Sequence, residues 1–338
     1  DTFYFAKRDA VYVLLSLATC YLTLQISSSQ WEKWHAKIFL LAIVLLILVL
    51  MVGTSVNGAK RWISLGILNF QPAEFAKLAL TCFLASYFTR RYDEVRSKRA
   101  SIGKPFIVVF ALGAFLLLQP DLGSTIVLFV IMSGMLFIVG AQLLQFIFLM
   151  ILGLALFAWL VLTASYRLKR FTGFLEPFKD PYGTGFQLTN SLMAFGRGEI
   201  SGEGLGNSIQ KLDYLPEAHT DFIMAIIGEE FGFIGILVVV ILLGLLIFRA
   251  MKIGRESLML EQRFRGFFAL GISFWIFFQG FVNLGMALGM LPTKGLTFPL
   301  VSYGGSSIII MSATVGILLR IDHENRLQRG GQARLRDD

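Results

Sequence analysis

Nine apolar runs, lying near residues 9–27, 34–53, 71–89, 103–118, 122–139, 142–164, 219–248, 264–291 and 303–320, constrain this chain more than any other feature. Each is close to the ~20 residues a helix needs to cross the hydrocarbon core of a bilayer. A water-soluble domain of 338 residues could not hide a sequence that is 56% hydrophobic, whereas lipid accepts such surface without penalty. The mean hydropathy of +0.70 agrees. The expected fold is all-α: a polytopic membrane helix bundle of nine spans, forming a single transmembrane domain over 1–338.

Charge orients it. The net charge of +8 is gathered in short clusters between apolar runs, which is the pattern of cytoplasmic loops and not of a nucleic-acid surface. Segments 90–104 and 249–265 and the tail 321–338 are densely basic and are expected in the cytoplasm. Segments 54–70, 119–122, 165–218 and 292–302 then face outward, the longest regardless of its own cations. An odd number of spans with a cytoplasmic tail puts Asp1 outside. The chain starts without Met and without a signal peptide, so a further N-terminal span is expected to precede it, ten in the full protein.

The signals of soluble enzymes are missing. No phosphate-binding loop, dinucleotide fingerprint or H-E-x-x-H stands in the sequence, and GEGLG at 202–206 has the wrong spacing. Nucleotide binding is not expected. His35, His219 and His323 are scattered, and Cys20 and Cys82 stand singly in apolar runs as small packing residues.

Unusual residues collect on the outward face. Asp221 stands at the mouth of run 219–248, with Glu229 and Glu230 inside it, and carboxylates at membrane depth are costly enough to mark function. Thr220 and Asp221 are equally good helix N-cap residues. Loop 54–70 brings Lys60, Arg61 and Trp62 to the interface. Glu74 and Lys77 follow about one turn into the next run, at a spacing that puts them on one helix face as a packing pair or a functional one. Loop 165–218 is too long for a plain connector. Within it, Leu188, Leu192 and Phe195 suit one face of a short helix lying on the membrane. The stretch AFGRGEISGEGLGNSIQK, with Arg197 and Lys211, suits either a phosphate cradle or a flexible loop. LPTKGLTFPLVSYGGSS, carrying Lys294, Ser302 and Tyr303, implies irregular backbone at membrane level.

QPAEFAKL at 71–78, AFGRGE at 194–199, YLPEAHTDF at 214–222 and PTKGLTFPLVSYGGSS at 292–307 closely resemble the SEDS family of cell-wall polymerases, and the likeness runs through nearly the whole chain. With Lys294, the last motif is nearer the division branch of that family than the elongation branch. The resemblance implies a ten-span peptidoglycan glycosyltransferase in the cytoplasmic (inner) membrane of a bacterium, at the division septum. It would polymerise lipid II on the periplasmic face, beside a class B penicillin-binding protein and other division proteins of the membrane. It carries the family's essential acid onto Asp221 and its functional acid and base onto Glu74 and Lys77.

The implied chemistry is one inverting displacement. The donor sugar is α-linked to a lipid diphosphate and the product is β-linked, so a base must take the acceptor hydroxyl proton, whereas the diphosphate leaves as an anion without an acid. Asp221 supplies the base. Lys60, Arg61, Arg197, Lys211, Lys294 and Ser302, or a divalent cation such as Mg2+ or Mn2+, supply contacts to the diphosphate. Two other classes compete: a lipid II flippase using the same polar residues, and a scaffold for division partners.

Overall fold

The computed structural model describes residues 4–56, 59–66, 68–97, 103–163, 173–293 and 295–337. Every apolar run is helical in it: α1 Tyr4–Gln25, α2 Ser28–Val52, α3 Pro72–Arg90, α5 Gly103–Leu118, α6 Leu122–Val139, α7 Leu143–Leu162, α9 Ile223–Met259, α10 Arg263–Ala287 and α11 Gly305–Asp337. Two shorter helices, α4 (Tyr92–Ser97) and α8 (Phe186–Gly198), fall in connecting segments. Among the described residues, α2, α6, α9, α10 and α11 are long and apolar enough to cross a membrane. Large apolar side chains such as Leu40 and Val44 of α2 and Leu242 and Phe248 of α9 stand exposed, as a lipid-facing surface requires.

The chain is not wholly α-helical. Segment 54–70, expected as a loop, folds into a three-stranded antiparallel sheet with β2 (Ala59–Leu65) between β1 (Thr54–Val56) and β3 (Leu68–Phe70). Trp62 sits opposite Thr54, and Ile63 opposite Phe70. The strands are too short to show through the helical pattern around them.

Two compact units share the chain. The first comprises Asp1–Ile147, Ile247–Ile276 and Gly305–Asp338. Its α1 lies along α11, and α3 packs on α2 and α6. The Thr23 hydroxyl reaches across to the Ala313 carbonyl at 3.2 Å. At the sheet end, Ser306 joins two segments, accepting from the Gln71 amide at 2.8 Å and donating to the Asn69 carbonyl at 3.0 Å. The Tyr12 hydroxyl accepts the Asn69 amide at 3.1 Å. The QPAEFAKL and YGGSS motifs are thus held together by their own polar groups.

The basic end of this unit is laced by ion pairs. Asp322 takes Arg249 at 3.1 Å and Arg326 at 2.7 Å, and Glu324 takes Arg265 at 3.1 Å and Arg320 at 2.8 Å. Ser28 donates to Glu324 through both its amide and its hydroxyl. The expected tail 321–338 is therefore no loose extension, since α11 continues through it and docks on α2, α9 and α10.

The second unit comprises Phe148–Leu246 and Phe277–Gly304. Helix α8 forms where a surface helix was expected, but its apolar face meets protein. Ala194 joins Leu215, Ala218, Phe222, Ala225, Ile226 and Ala287 in one buried cluster with Phe195 against it. The Ser191 hydroxyl donates to the Ala287 carbonyl at 2.8 Å, and the Asn190 amide donates to the Tyr214 carbonyl at 3.0 Å.

Candidate active site

A tight turn delivers Asp221. The carbonyl of Glu217, a residue with φ 58°, accepts the amides of Thr220, Asp221 and Phe222 at 3.1, 3.1 and 3.2 Å. The chain then enters α9 at Ile223, and the Phe222 carbonyl accepts the Ile226 amide, so Phe222 holds the N-cap position. The Thr220 hydroxyl turns back to the Glu217 carboxylate at 2.6 Å. Asp221 thus precedes the position from which a side chain ordinarily caps.

Buried Asn283 of α10 fixes what faces this half-buried carboxylate. Its amide donates to the Asp221 carbonyl at 2.8 Å and to the Leu296 carbonyl at 2.5 Å, tying the turn to loop 292–304. The same loop is held a second time where the Tyr303 amide donates to the His219 carbonyl at 2.8 Å, with the two rings edge to face at 5.6 Å. Gly295 is close enough that a Cβ there would stand 3.3 Å from Asp221 Oδ2. Ser302 is buried, and its hydroxyl accepts the Phe298 amide at 2.7 Å. It shapes the loop and does not present itself as an open ligand. Lys294 lies outside the described residues.

Arg197 and Lys211 are held by carboxylates of α9. Glu229, with no exposed surface, accepts Ser208 Oγ at 2.5 Å, the amides of Ile209 and Gln210 at 3.1 and 3.2 Å, and Arg197 at 3.4 Å. Arg197 also meets Glu203 at 3.5 Å, and Lys211 meets Glu230 at 2.5 Å.

Helix α9 is broken at Gly232, whose φ 65° and ψ −163° lie outside the helical region. Residues 199–204 splint the break. The amides of Glu203 and Gly204 donate to the carbonyls of Glu229 and Glu230, both at 2.9 Å, while the amides of Phe233 and Ile234 donate to the carbonyls of Glu199 and Ile200 at 2.9 and 3.2 Å. A Cβ on Gly202 or Gly232 would overlap the opposing backbone. These glycines therefore serve close approach, and residues 199–204 are held in place by backbone bonds. Glu229 and Glu230 both precede the break, and the unbroken apolar stretch Phe233–Phe248 begins after it, so these acids lie on the side of the break that residues 199–204 bond to. The pairing of two acids with a glycine two residues on was the available signal.

In the first unit, Lys77 has no exposed surface and donates to Glu74 Oε1 at 2.8 Å, with its ammonium 5.4 Å from the centre of the buried Trp275 ring. Glu74 Oε2 is buried with no hydrogen-bond partner among the described residues. Pro72 opens the helix and Glu74 sits in its first turn, where a negative charge suits the helix dipole. Arg61 donates to the Gln119 and Pro120 carbonyls at 3.1 and 2.5 Å, satisfying backbone beyond the end of α5. Asp121, 3% exposed, accepts the Ser124 amide at 3.1 Å and caps α6. Lys60 is exposed on β2. Among the described residues, no three His, Cys, Asp or Glu side chains gather as a metal site.

The model of the FtsW/RodA/SpoVE family of cell cycle proteins matches residues 1–327. The chain belongs to this family. A protein of Haemophilus influenzae named probable peptidoglycan glycosyltransferase FtsW is 87% identical over 338 residues, covering 100% of this chain and 86% of that protein. The protein of the same name from Pasteurella multocida is 76% identical, again covering 100% and 86%. Among solved structures, a chain of a peptidoglycan synthase complex, described as coordinating polymerization and crosslinking, superposes with a TM-score of 0.78 at 31% identity, over 95% of this chain and 90% of that one. The Thermus thermophilus rod shape determining protein RodA superposes with a TM-score of 0.69 at 30% identity, over 94% and 87%. The fold is that of this family, and the Haemophilus influenzae and Pasteurella multocida relatives are named as probable glycosyltransferases of peptidoglycan.

Proposed function

We propose that this chain polymerises lipid II into glycan strands at the outer face of the bacterial cytoplasmic membrane, during septal wall synthesis. The observation that carries the reading is the Asp221 carboxylate, half-buried against Gly295 in a turn fastened by Asn283 and Tyr303. A base so held can accept the proton of the acceptor sugar hydroxyl as the oxygen attacks the donor's anomeric carbon, a role worth about 10²–10⁴ in rate. The C–O bond to the diphosphate breaks as the new glycosidic bond forms. The departing anion needs cations and no acid.

Arg197 and Lys211 are assigned to serve it, since both stand in the segment that leads into Asp221, together with Lys294, next in sequence to Gly295. Arg61 is taken up by backbone carbonyls and is assigned to structure. Glu74 and Lys77 support the reading as a buried pair whose free carboxylate oxygen is held out of water. A divalent cation would find one ligand in Asp221 and draw the others from the diphosphate and water, the usual manner for Mg2+. The nine helical runs are read as nine spans. The class B penicillin-binding protein is the expected partner, in keeping with the synthase complex whose chain this one resembles.

A flippase would put polar, unpaired backbone of a broken helix into its path. Here the amides and carbonyls on either side of Gly232 are bonded to residues 199–204, which favours a rigid cap. Formation of glycan strands from lipid II in detergent, where there is no membrane to cross, tests the choice. With the partner made transpeptidase-inactive, strands are expected, and their absence from a folded complex would favour transport or scaffolding.

A further inference from the structure

Glu229 is fully buried, far more heavily hydrogen-bonded than an ordinary surface acid, and unused by the chemistry above. Its two oxygens divide the work. Oε1 takes the Ile209 amide and the Arg197 guanidinium, and Oε2 takes the Ser208 hydroxyl and the Gln210 amide. Ser208 Oγ in turn accepts the Lys211 amide at 3.2 Å. One carboxylate thereby fixes both the end of α8 that carries Arg197 and the turn that carries Lys211. Glu230, the next residue, holds the Lys211 ammonium itself at 2.5 Å. A burial this complete demands that a charge be compensated, and four donors do so.

We infer that Glu229 is the positioning residue of the diphosphate-binding cations: it sets where Arg197 and Lys211 stand without touching substrate. This rests on the polymerase reading above. Arg197 and Lys211 keep 37% and 32% of their side chains exposed while Glu229 and Glu230 are covered and Glu203, which also meets Arg197, stays at the surface, so the two acids of α9 form the floor on which the cations stand. An arriving diphosphate meets cations already ordered, and preorganisation of this kind is what strengthens binding. The Glu229→Gln change keeps the volume, removes the charge and turns one acceptor into a donor facing other donors.

Lipid II polymerisation by the whole complex, with Glu229→Gln, Ser208→Ala, Lys211→Met and the double variant Glu229→Gln/Lys211→Met, tests this. Glu229→Gln is expected to raise KM for lipid II tenfold or more with kcat within about threefold, and Ser208→Ala to raise it about threefold. In the Lys211→Met background the Glu229→Gln effect should shrink, because residues acting through one another do not add. Wild-type KM in Glu229→Gln, a loss confined to kcat, or full additivity with Lys211→Met would overturn the inference. If Glu229→Gln does not fold, Ser208→Ala decides by the same KM criterion. The polymerase reading fails separately, when the wild-type complex makes no strands.

Discussion

Lys77 holds its ammonium beside Glu74 with no surface exposed, which makes the pair expensive to break from one side. Lys77→Met leaves an uncompensated buried carboxylate and is expected to cost about 3–5 kcal/mol, read as thermal unfolding in detergent. Adding Glu74→Gln should return most of that stability. If the restored double variant still polymerises lipid II at the wild-type rate, the pair is packing and nothing more. Its spacing was legible in the sequence because residues three apart share a helix face. The contact with Trp275 was not, since almost two hundred residues separate them. The same holds at Asp221. The sequence pointed to it by motif and by its place before an apolar run, but left open whether it capped the helix. Only the fold shows Phe222 at the cap position, with Asn283 and Gly295 brought to Asp221 from distant segments.

At the scale of elements, the helical runs were readable because hydropathy over some twenty residues is a strong signal. The interruption of α9 was not. Gly232 stands in an otherwise continuous apolar pattern, and its meaning depends on residues 199–204 arriving from another part of the chain. Its backbone conformation is close to one that only glycine adopts readily. Gly232→Ala is therefore expected to lose about 1–3 kcal/mol from strain, with a further loss from the clash with the Ile200 carbonyl, and to yield less folded protein. Normal yield and an unaltered unfolding temperature would show that the splint is dispensable. The small sheet of 54–70 escaped notice for a related reason. Its strands of 3, 7 and 3 residues are held by cross-strand bonds that no local pattern announces.

For the molecule as a whole, the basic clusters also lock one end of the first unit. Burial alone would raise the Glu324 carboxyl, but hydrogen bonds from Ser28 and Arg320, helped by the charge of Arg265, outweigh it and hold the group below its ordinary value of 4.5. A carboxyl depressed in the folded state contributes stability that is present above its unfolded value and lost as pH falls through the folded one. Thermal unfolding in detergent should therefore move to lower temperature as pH drops below about 4.5. Glu324→Gln should flatten that dependence while lowering stability near neutral pH. A variant with the wild-type acid dependence would show that Glu324 carries none of it.

The central claim is that one carboxylate, Asp221, is the base of an inverting glycosyl transfer. The most direct measurement is lipid II polymerisation in detergent by the complex with a transpeptidase-inactive partner, comparing wild type with Asp221→Asn at equal amounts of folded protein. The account predicts glycan strands from the wild type and a loss of at least a hundredfold in the variant, whose Asn side chain keeps the shape but cannot take the proton. Strands from Asp221→Asn at the wild-type rate would contradict it.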